Sequence, residues 1–351
     1  MSEREPIPGG RAAWTSGSDA AGVDPPGPRR IVVVLPGQGV QKARMGVGLY
    51  GSLPEFAERI DHVLAQWGPV GAQIRADWLA ATPTLGIDDI RRSQPLLFAI
   101  DWALGGYLLD QGITPAALVG HSVGELAASV LAGILDLADA AAMMADRLVQ
   151  LADAPPGAML AVAAKPDDVR FCIEFGVDIG AVNAPRQVVL AGSVPAIDRA
   201  AAHLTDAGIS VRMARSPIAF HSRQLGDHVL RSVPAIRDIT FRDPALPLWS
   251  AYTGAPLTGE QVRDAHFWAR QPALPVLFWP TLEGVLDTIG PALVVEAGPG
   301  RSLTTAARRH RSMLSGHSST VALLPHAAGS PEQDRLAFDE AVRVIRATSA
   351  A

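Results

Sequence analysis

Cysteine occurs once, at Cys172, in a chain of 351 residues. That excludes a disulfide scaffold and any cysteine-rich zinc site, and it fits a reducing cytoplasm. Lysine is nearly absent, represented by Lys42 and Lys165 alone. Lys and Arg together number 30 against 35 Asp and Glu, a net charge of -5, so the broad positive field of a nucleic-acid binder is missing. No apolar run approaches the roughly 20 residues of a membrane helix, and the N-terminus has no signal-like apolar stretch. Neither a membrane span nor secretion is expected. What the chain does have is 48% hydrophobic residues against 19% charged, enough to build a sizeable core and to exclude disorder as the main state. At roughly 100–200 residues per domain, the length predicts two or three units, or one large domain with an insert.

Residues 1–29 are rich in Gly, Pro, Ser and charge without periodicity, the composition of a disordered leader. The β-branched run Ile31-Val32-Val33-Val34-Leu35 predicts a strand buried on both faces. Helical patterning follows over Leu53–Gln66 and Gln94–Asp110, then a second buried strand at Ala117-Leu118-Val119, then helices over Glu125–Ile134 and Ala138–Leu151. The texture changes at Gly157. Strands at Met159–Ala164, Val177–Val182, Gln187–Ala191 and Ile209–Met213 interleave with helices at 166–175 and 194–207. This β-α-β-β-α-β order is the ferredoxin-like motif.

The expected fold is therefore α/β. A large α/β-hydrolase-like domain spans 30–156 and 222–351, with a small ferredoxin-like domain, 157–221, inserted in it. In the second half of the large domain, the patterning predicts helices near His221–Arg231, Gly259–Ala269 and Pro275–Leu286. Strands are predicted at Leu246–Trp249 and Ala292–Glu296, a helix after Gly298-Pro299-Gly300, and a terminal helix over Pro331–Ala347.

Gly120-His121-Ser122-Val123-Gly124 matches the G-x-S-x-G elbow, in which a strand ends, a sharp turn lifts the serine hydroxyl, and a helix begins beneath it. The helix N-terminus offers unpaired N–H groups and a positive dipole to a developing oxyanion. A serine hydroxyl needs a base, and the histidines leave two options. The chain order of α/β-hydrolases nominates His310, His317 or His326. Alternatively, Pro217-Ile218-Ala219-Phe220-His221-Ser222 places His221 where the chain re-enters the large domain.

Separated segments bear on that choice. Pro36-Gly37-Gln38-Gly39, Ser93-Gln94-Pro95-Leu96, the elbow through Glu125, Ala219-Phe220-His221-Ser222 and Glu296-Ala297-Gly298-Pro299-Gly300 occur in this order. Ala181–Val189 and Trp268-Ala269-Arg270-Gln271-Pro272 fit with them. As a set, over about residues 30–325, they resemble the acyltransferase family of malonyl-CoA:acyl carrier protein transacylases and polyketide synthase acyltransferase domains. The resemblance implies Ser122 as nucleophile and His221 as general base, the imidazole held by a backbone carbonyl, that of Gln271. It implies an oxyanion hole of the Gln38 and Val123 N–H groups, support from Gln94, Asn183 and Gln271, and Glu125 tying the elbow together. It implies no metal and no enzyme-bound cofactor, the acyl group arriving on coenzyme A or on the phosphopantetheine of a carrier protein.

Family members that load malonyl-type groups carry an arginine in the helix after the elbow, ahead of a Leu-Met-Gln run, whose fork grips the free carboxylate. Set against Leu148-Val149-Gln150, that arginine falls at Ala145. Arg147 lies two positions on, rotated by about 200°. The expectation is an acyl group without a free carboxylate, aminoacyl or peptidyl-like, in a pocket shaped by Ala145, Ile218, Phe220 and Met144. Met143 and Met213 could also line it. Arg301, Arg308, Arg309 and Arg311, placed on one helix, are the expected docking surface for an acidic carrier protein. No carrier-protein or ketosynthase segment is recognisable, so the expected enzyme is a free-standing, trans-acting one of polyketide or antibiotic biosynthesis. Its alternatives are an editing thioester hydrolase and a malonyl-CoA:acyl carrier protein transacylase.

Overall fold

A computed structural model describes residues 29–326 and 330–349. The expected leader lies outside the described residues except for Arg29, which is anchored, its guanidinium donating to the carbonyls of His317 and Gly316.

Two sheets organise the chain. The first contains β1 (Arg30–Leu35), β2 (Ala117–Gly120), β7 (Leu248–Ser250), β8 (Ala255–Pro256), β9 (Ala292–Glu296) and β10 (Ser319–Ala322), in the order β10-β9-β1-β2-β7-β8. All its pairings are parallel except β7 with β8. The Ile31–Leu35 run sits at its centre because both faces are covered. Ile31, Val33 and Leu35 pack with Leu96, Phe98 and Leu126 on one side, and Val32 and Val34 pack with Phe278 and Leu282 on the other. The alternation is the period of two that a strand imposes.

The second sheet holds β3 (Ala158–Val162), β4 (Val177–Ala184), β5 (Gln187–Gly192) and β6 (Val211–Met213), ordered β4-β5-β3-β6 and antiparallel throughout. This is the ferredoxin-like strand order read from the sequence. Its first helix is a 3-10 helix, Asp167–Phe175, and its core of Leu160, Leu190, Ile197 and Leu204 is closed by Trp279 from the helix Phe278–Ile289. The segment ahead of the helix Phe278–Ile289 bridges to β4: Val182 N–H donates to the Val276 carbonyl at 2.8 Å, and Val276 N–H to the Gly180 carbonyl at 2.9 Å.

The patterning missed the helix Pro69–Leu79, whose apolar residues are spread around its circumference, the short strand β10 and the short helix Val233–Arg237. It also overextended a helix near His221–Arg231, which is a 3-10 turn at Arg223–Leu225 leading into the short helix Gly226–Leu230. Among the described residues, no helix is long and apolar enough to cross a membrane.

Asp101, on the long helix Ile90–Asp110, is fully buried with neither carboxyl oxygen hydrogen-bonded. Burial, and then the nearby Glu296, pushes its pKa well above the usual carboxylate range. A raised carboxyl holds its proton in the folded state where the unfolded chain releases it, so its ionisation penalises the fold as pH rises. Asp101→Asn is expected to gain about 1 kcal/mol or more over the wild type at pH 8, with the difference shrinking towards pH 4. Urea denaturation at both pH values checks this; a gap that does not depend on pH would refute it.

Candidate active site

The elbow predicted at Gly120–Gly124 is formed. Strand β2 ends at Gly120, Ser122 takes φ 54° and ψ -118°, and the helix Val123–Leu131 starts at the next residue. A non-glycine residue at positive φ stores strain of about 1–3 kcal/mol and persists only where its surroundings enforce it. Two glycines allow that enforcement. A Cβ on Gly124 would lie 2.2 Å from the Leu35 carbonyl oxygen, and one on Gly37 would lie 2.3 Å from the His121 carbonyl oxygen and 3.1 Å from Ser122 Cβ. The turn after β1 is therefore pressed against the elbow.

His221 also sits at positive φ, 63°, with its N–H donating to the Pro272 carbonyl at 2.6 Å. Its Nε2 lies 2.9 Å from Ser122 Oγ. Its Nδ1 lies 2.8 Å from the carbonyl oxygen of Leu274, which corrects the expectation that Gln271 supplies this acceptor. The Gln271–Ala273 3-10 turn carries the chain on by three residues before a carbonyl meets Nδ1, and the Gln271 carbonyl acts only as the weaker second acceptor. Burial first, then the neighbouring His121 and Arg147, push His221 down to about 3. It is neutral at pH 7, with N–H on the Leu274 side and a lone pair facing the serine. The late histidines are elsewhere: His310 contacts Ser312 and Asp287, His317 contacts Ser315, and His326 is exposed.

Neither the Gln38 N–H nor the Val123 N–H finds an acceptor among the described residues. Gln94 Nε2 donates to Gln38 Oε1 at 3.1 Å, holding the turn after β1 from the long helix. Asn183 Oδ1, on β4, lies 2.8 Å from His121 Nε2 and so ties the second sheet to the elbow. Glu125, fully buried, accepts from Ser250 Oγ at 2.6 Å, the Ala251 N–H at 2.8 Å and Gln271 Nε2 at 3.3 Å. Burial raises this carboxyl to about 8.

The helix Leu137–Gln150 carries Met143, Met144, Ala145 and Arg147. Arg147 is buried, 8% exposed. It lies close enough to His221 and Tyr252 to act on both electrostatically, and burial lowers its own pKa. Among the described residues its guanidinium has no hydrogen bond or ion pair. Met144 packs into the main core, as does Met143, and Ala145, about 200° around the helix from Arg147, faces away from the site. Ile218 and Phe220 pack beside His221 with Leu151, Leu225 and Val229, whereas Met213 is exposed on the edge strand β6. Tyr252 was missed altogether. Its ring lies 6.2 Å from the His221 ring, and no motif in the sequence marks it.

The arginines expected on one helix are divided. Arg301 caps the helix Ser302–Ala307, Arg308 and Arg309 lie in the turn after it, and Arg311 begins Arg311–Leu314. All four are exposed. Arg309 reaches Gln187 on β5, Arg308 reaches Thr320, and Arg311 is paired with Asp287. A hollow of about 250 Å³ lined by Ile236, Arg237, Phe241 and His266 shares no residue with the Ser122 site.

Comparison with known proteins points the same way. The family described as the acyl transferase domain matches residues 32–345. A component of the phenolphthiocerol/phthiocerol polyketide synthase of Mycobacterium tuberculosis is 37% identical over 85% of this chain, which spans 20% of that protein. Polyketide synthase GfsA of Streptomyces halstedii is 34% identical over 81% of the chain, which spans 4% of that synthase. Among solved structures, the acyl transferase domain of SpnD in complex with 2-(pent-4-yn-1-yl)malonyl superposes with a TM-score of 0.84 at 31% identity, over 92% of this chain and 78% of that one. The malonyl-CoA:acyl carrier protein transacylase of Xanthomonas oryzae reaches 0.75 at 26% identity, over 88% of this chain and 98% of that one.

The depressed His221 pKa has a direct test. The imidazole, followed by NMR, is expected to titrate far below the ordinary 6.5, and Arg147→Ala is expected to move its midpoint upward by removing a repelling charge. A wild-type midpoint near 6.5 would contradict the burial argument, and an unmoved midpoint in the variant would place the guanidinium elsewhere.

Proposed function

The chain belongs to the acyl transferase domain family, and on that footing we propose that it loads an acyl group bearing a free carboxylate onto Ser122 and passes it to the phosphopantetheine thiol of an acyl carrier protein. In this reading Ser122 Oγ attacks the thioester carbonyl while His221 Nε2 takes its proton, and the Gln38 and Val123 N–H groups receive the oxyanion. The tetrahedral intermediate collapses, the thiolate of coenzyme A or of a donor carrier leaves with the proton from His221, and an acyl-serine remains. The acceptor thiol then yields its proton to His221 and attacks the ester, restoring the serine. The Leu274 carbonyl holds the imidazole tautomer in place of a carboxylate.

The observation that carries the choice of acyl group is Arg147. The Arg147 side chain, 8% exposed, has no partner among the described residues, and a carboxylate brought by the acyl group is the partner that its planar fork fits. This reverses the expectation of an uncarboxylated substrate, which rested on Ala145. The malonyl-type ligand of the SpnD domain supports the same reading. For the acceptor, the exposed Arg308 and Arg309 are free of ion pairs among the described residues, suiting an acidic carrier surface. We read the antiparallel sheet as a small domain inserted in the large one, with the site where the two meet.

Intact-mass analysis after incubation with malonyl-CoA or acetyl-CoA, with and without a carrier protein, tests this. A malonyl adduct absent from Ser122→Ala, formed faster than the acetyl adduct and discharged by carrier protein, is expected. Arg147→Ala should slow malonyl loading by about a hundredfold or more. Preference for acetyl-CoA would overturn the carboxylate reading, and rapid loss of the adduct without acceptor would make the protein a thioester hydrolase. Charge reversal of Arg308 and Arg309 together should slow discharge to the carrier and leave loading unchanged; equal discharge rates would remove them from the docking surface.

A further inference from the structure

Tyr252 follows β7 in a segment held from two sides. Its N–H donates to Ser250 Oγ at 3.1 Å, and Ser250 Oγ donates in turn to Glu125. The preceding Ala251 gives its N–H to Glu125 and accepts from the Leu277 N–H at 2.6 Å. Backbone and ring direction are therefore set before any ligand arrives. The ring is 8% exposed, packs in the apolar cluster with Val276 and Phe278, and tilts 38° to the His221 imidazole.

The hydroxyl is less satisfied than the ring. Its one hydrogen-bonding influence is Ser122, a contact too loose to rank with the formed hydrogen bonds, while Glu125 and Arg147 act on it through their charge. Burial keeps the phenol protonated far above neutral pH, so it is a donor. Yet the oxygen is not among the polar atoms sealed from solvent without a partner, and neither are the Arg147 nitrogens. The phenol thus stands beside the Ser122–His221 pair, the Arg147 guanidinium is within electrostatic reach of it, and neither has a firm acceptor among the described residues. A carboxylate, with two oxygens and about four lone-pair sites, can accept from both at once.

We propose that the Tyr252 hydroxyl is the second arm of the carboxylate receptor, sharing the acyl group's carboxylate with Arg147 and thereby setting selectivity for carboxylated acyl groups. The inference rests on the reading of Arg147 given above. It assigns Tyr252 a role that depends on the acyl group: a carboxylated acyl chain engages the phenol, and an acetyl group of the same thioester does not. A hydroxyl serving only Ser122 would assist every acyl group equally, and a ring that only packs would need no hydroxyl.

The experiment is Tyr252→Phe, which removes one oxygen and keeps the ring, compared with wild type and Arg147→Ala for loading from malonyl-CoA and acetyl-CoA. The readout is the malonyl-to-acetyl ratio of kcat/KM for Ser122 acylation, with thermal melting as the check on folding. A hydrogen bond to a charged group predicts a fall in that ratio of about tenfold or more in Tyr252→Phe. In the double variant the two losses should be less than additive, because both arms hold one group. An unchanged ratio in Tyr252→Phe, whether both rates fall together or neither falls, overturns the inference. If Arg147→Ala loses the malonyl preference while Tyr252→Phe keeps it, only the Tyr252 assignment fails. If Arg147→Ala keeps it too, the carboxylate reading fails as well.

Discussion

The buried carboxyl of Glu125 joins the pieces of chain that make up the site. It rides the first turn of the helix beneath Ser122, receives the Ser250 hydroxyl and the Ala251 N–H at the end of β7, and receives the Gln271 side chain from the turn that carries the acceptor for His221. The Tyr252 segment and the histidine's anchor lie 125 and 146 residues from Glu125 in sequence, and this one side chain joins both to the elbow. A polar group so deep is tolerable only when its hydrogen-bonding capacity is used. That same requirement fixes the spacing of the elements that satisfy it.

Strain at the site is held by this framework. Ser122 and His221 are two of the three non-glycine residues at positive φ among the described residues, and they face each other at 2.9 Å. The turn after β1 closes on the elbow from above through Gly37, and Asn183 grips His121 from the second sheet. Each contact crosses between elements that pack through their own apolar cores, so the polar geometry is set by hydrophobic layers that cannot slide independently.

Much of this was legible in the chain. The five-residue run at β1 had to be buried on both faces, and a parallel strand lies on each side of it. The alternation after Gly157 spelled out a ferredoxin-like order that the strand pairing reproduces. Ser122 and His221 could be paired because several short segments recurred in one order. Arg147 shows where the pattern stops: helical periodicity separates two faces sharply but does not say which face meets the site, and a shift of two residues in matching a motif exchanges them. Leu274 was beyond reach because any residue offers the same carbonyl, so only the path of the chain decides which one arrives. Tyr252 carried no signal at all, since a lone aromatic after a strand reads as core.

Residue type and order by themselves determined the α/β class, the two-sheet plan and the serine elbow, because hydrophobic periodicity and turn chemistry act over a few residues and leave their mark locally; His221 was singled out only by the resemblance that the ordered segments carry. Tertiary structure alone decided which donors stand unpaired beside the serine. Being unpaired is a property of everything that surrounds a side chain, and those surroundings are assembled from distant parts of the chain. Arg147 and Tyr252 are ordinary residues in the sequence; burial without a firm acceptor among the described residues is what suits them to the proposed receptor.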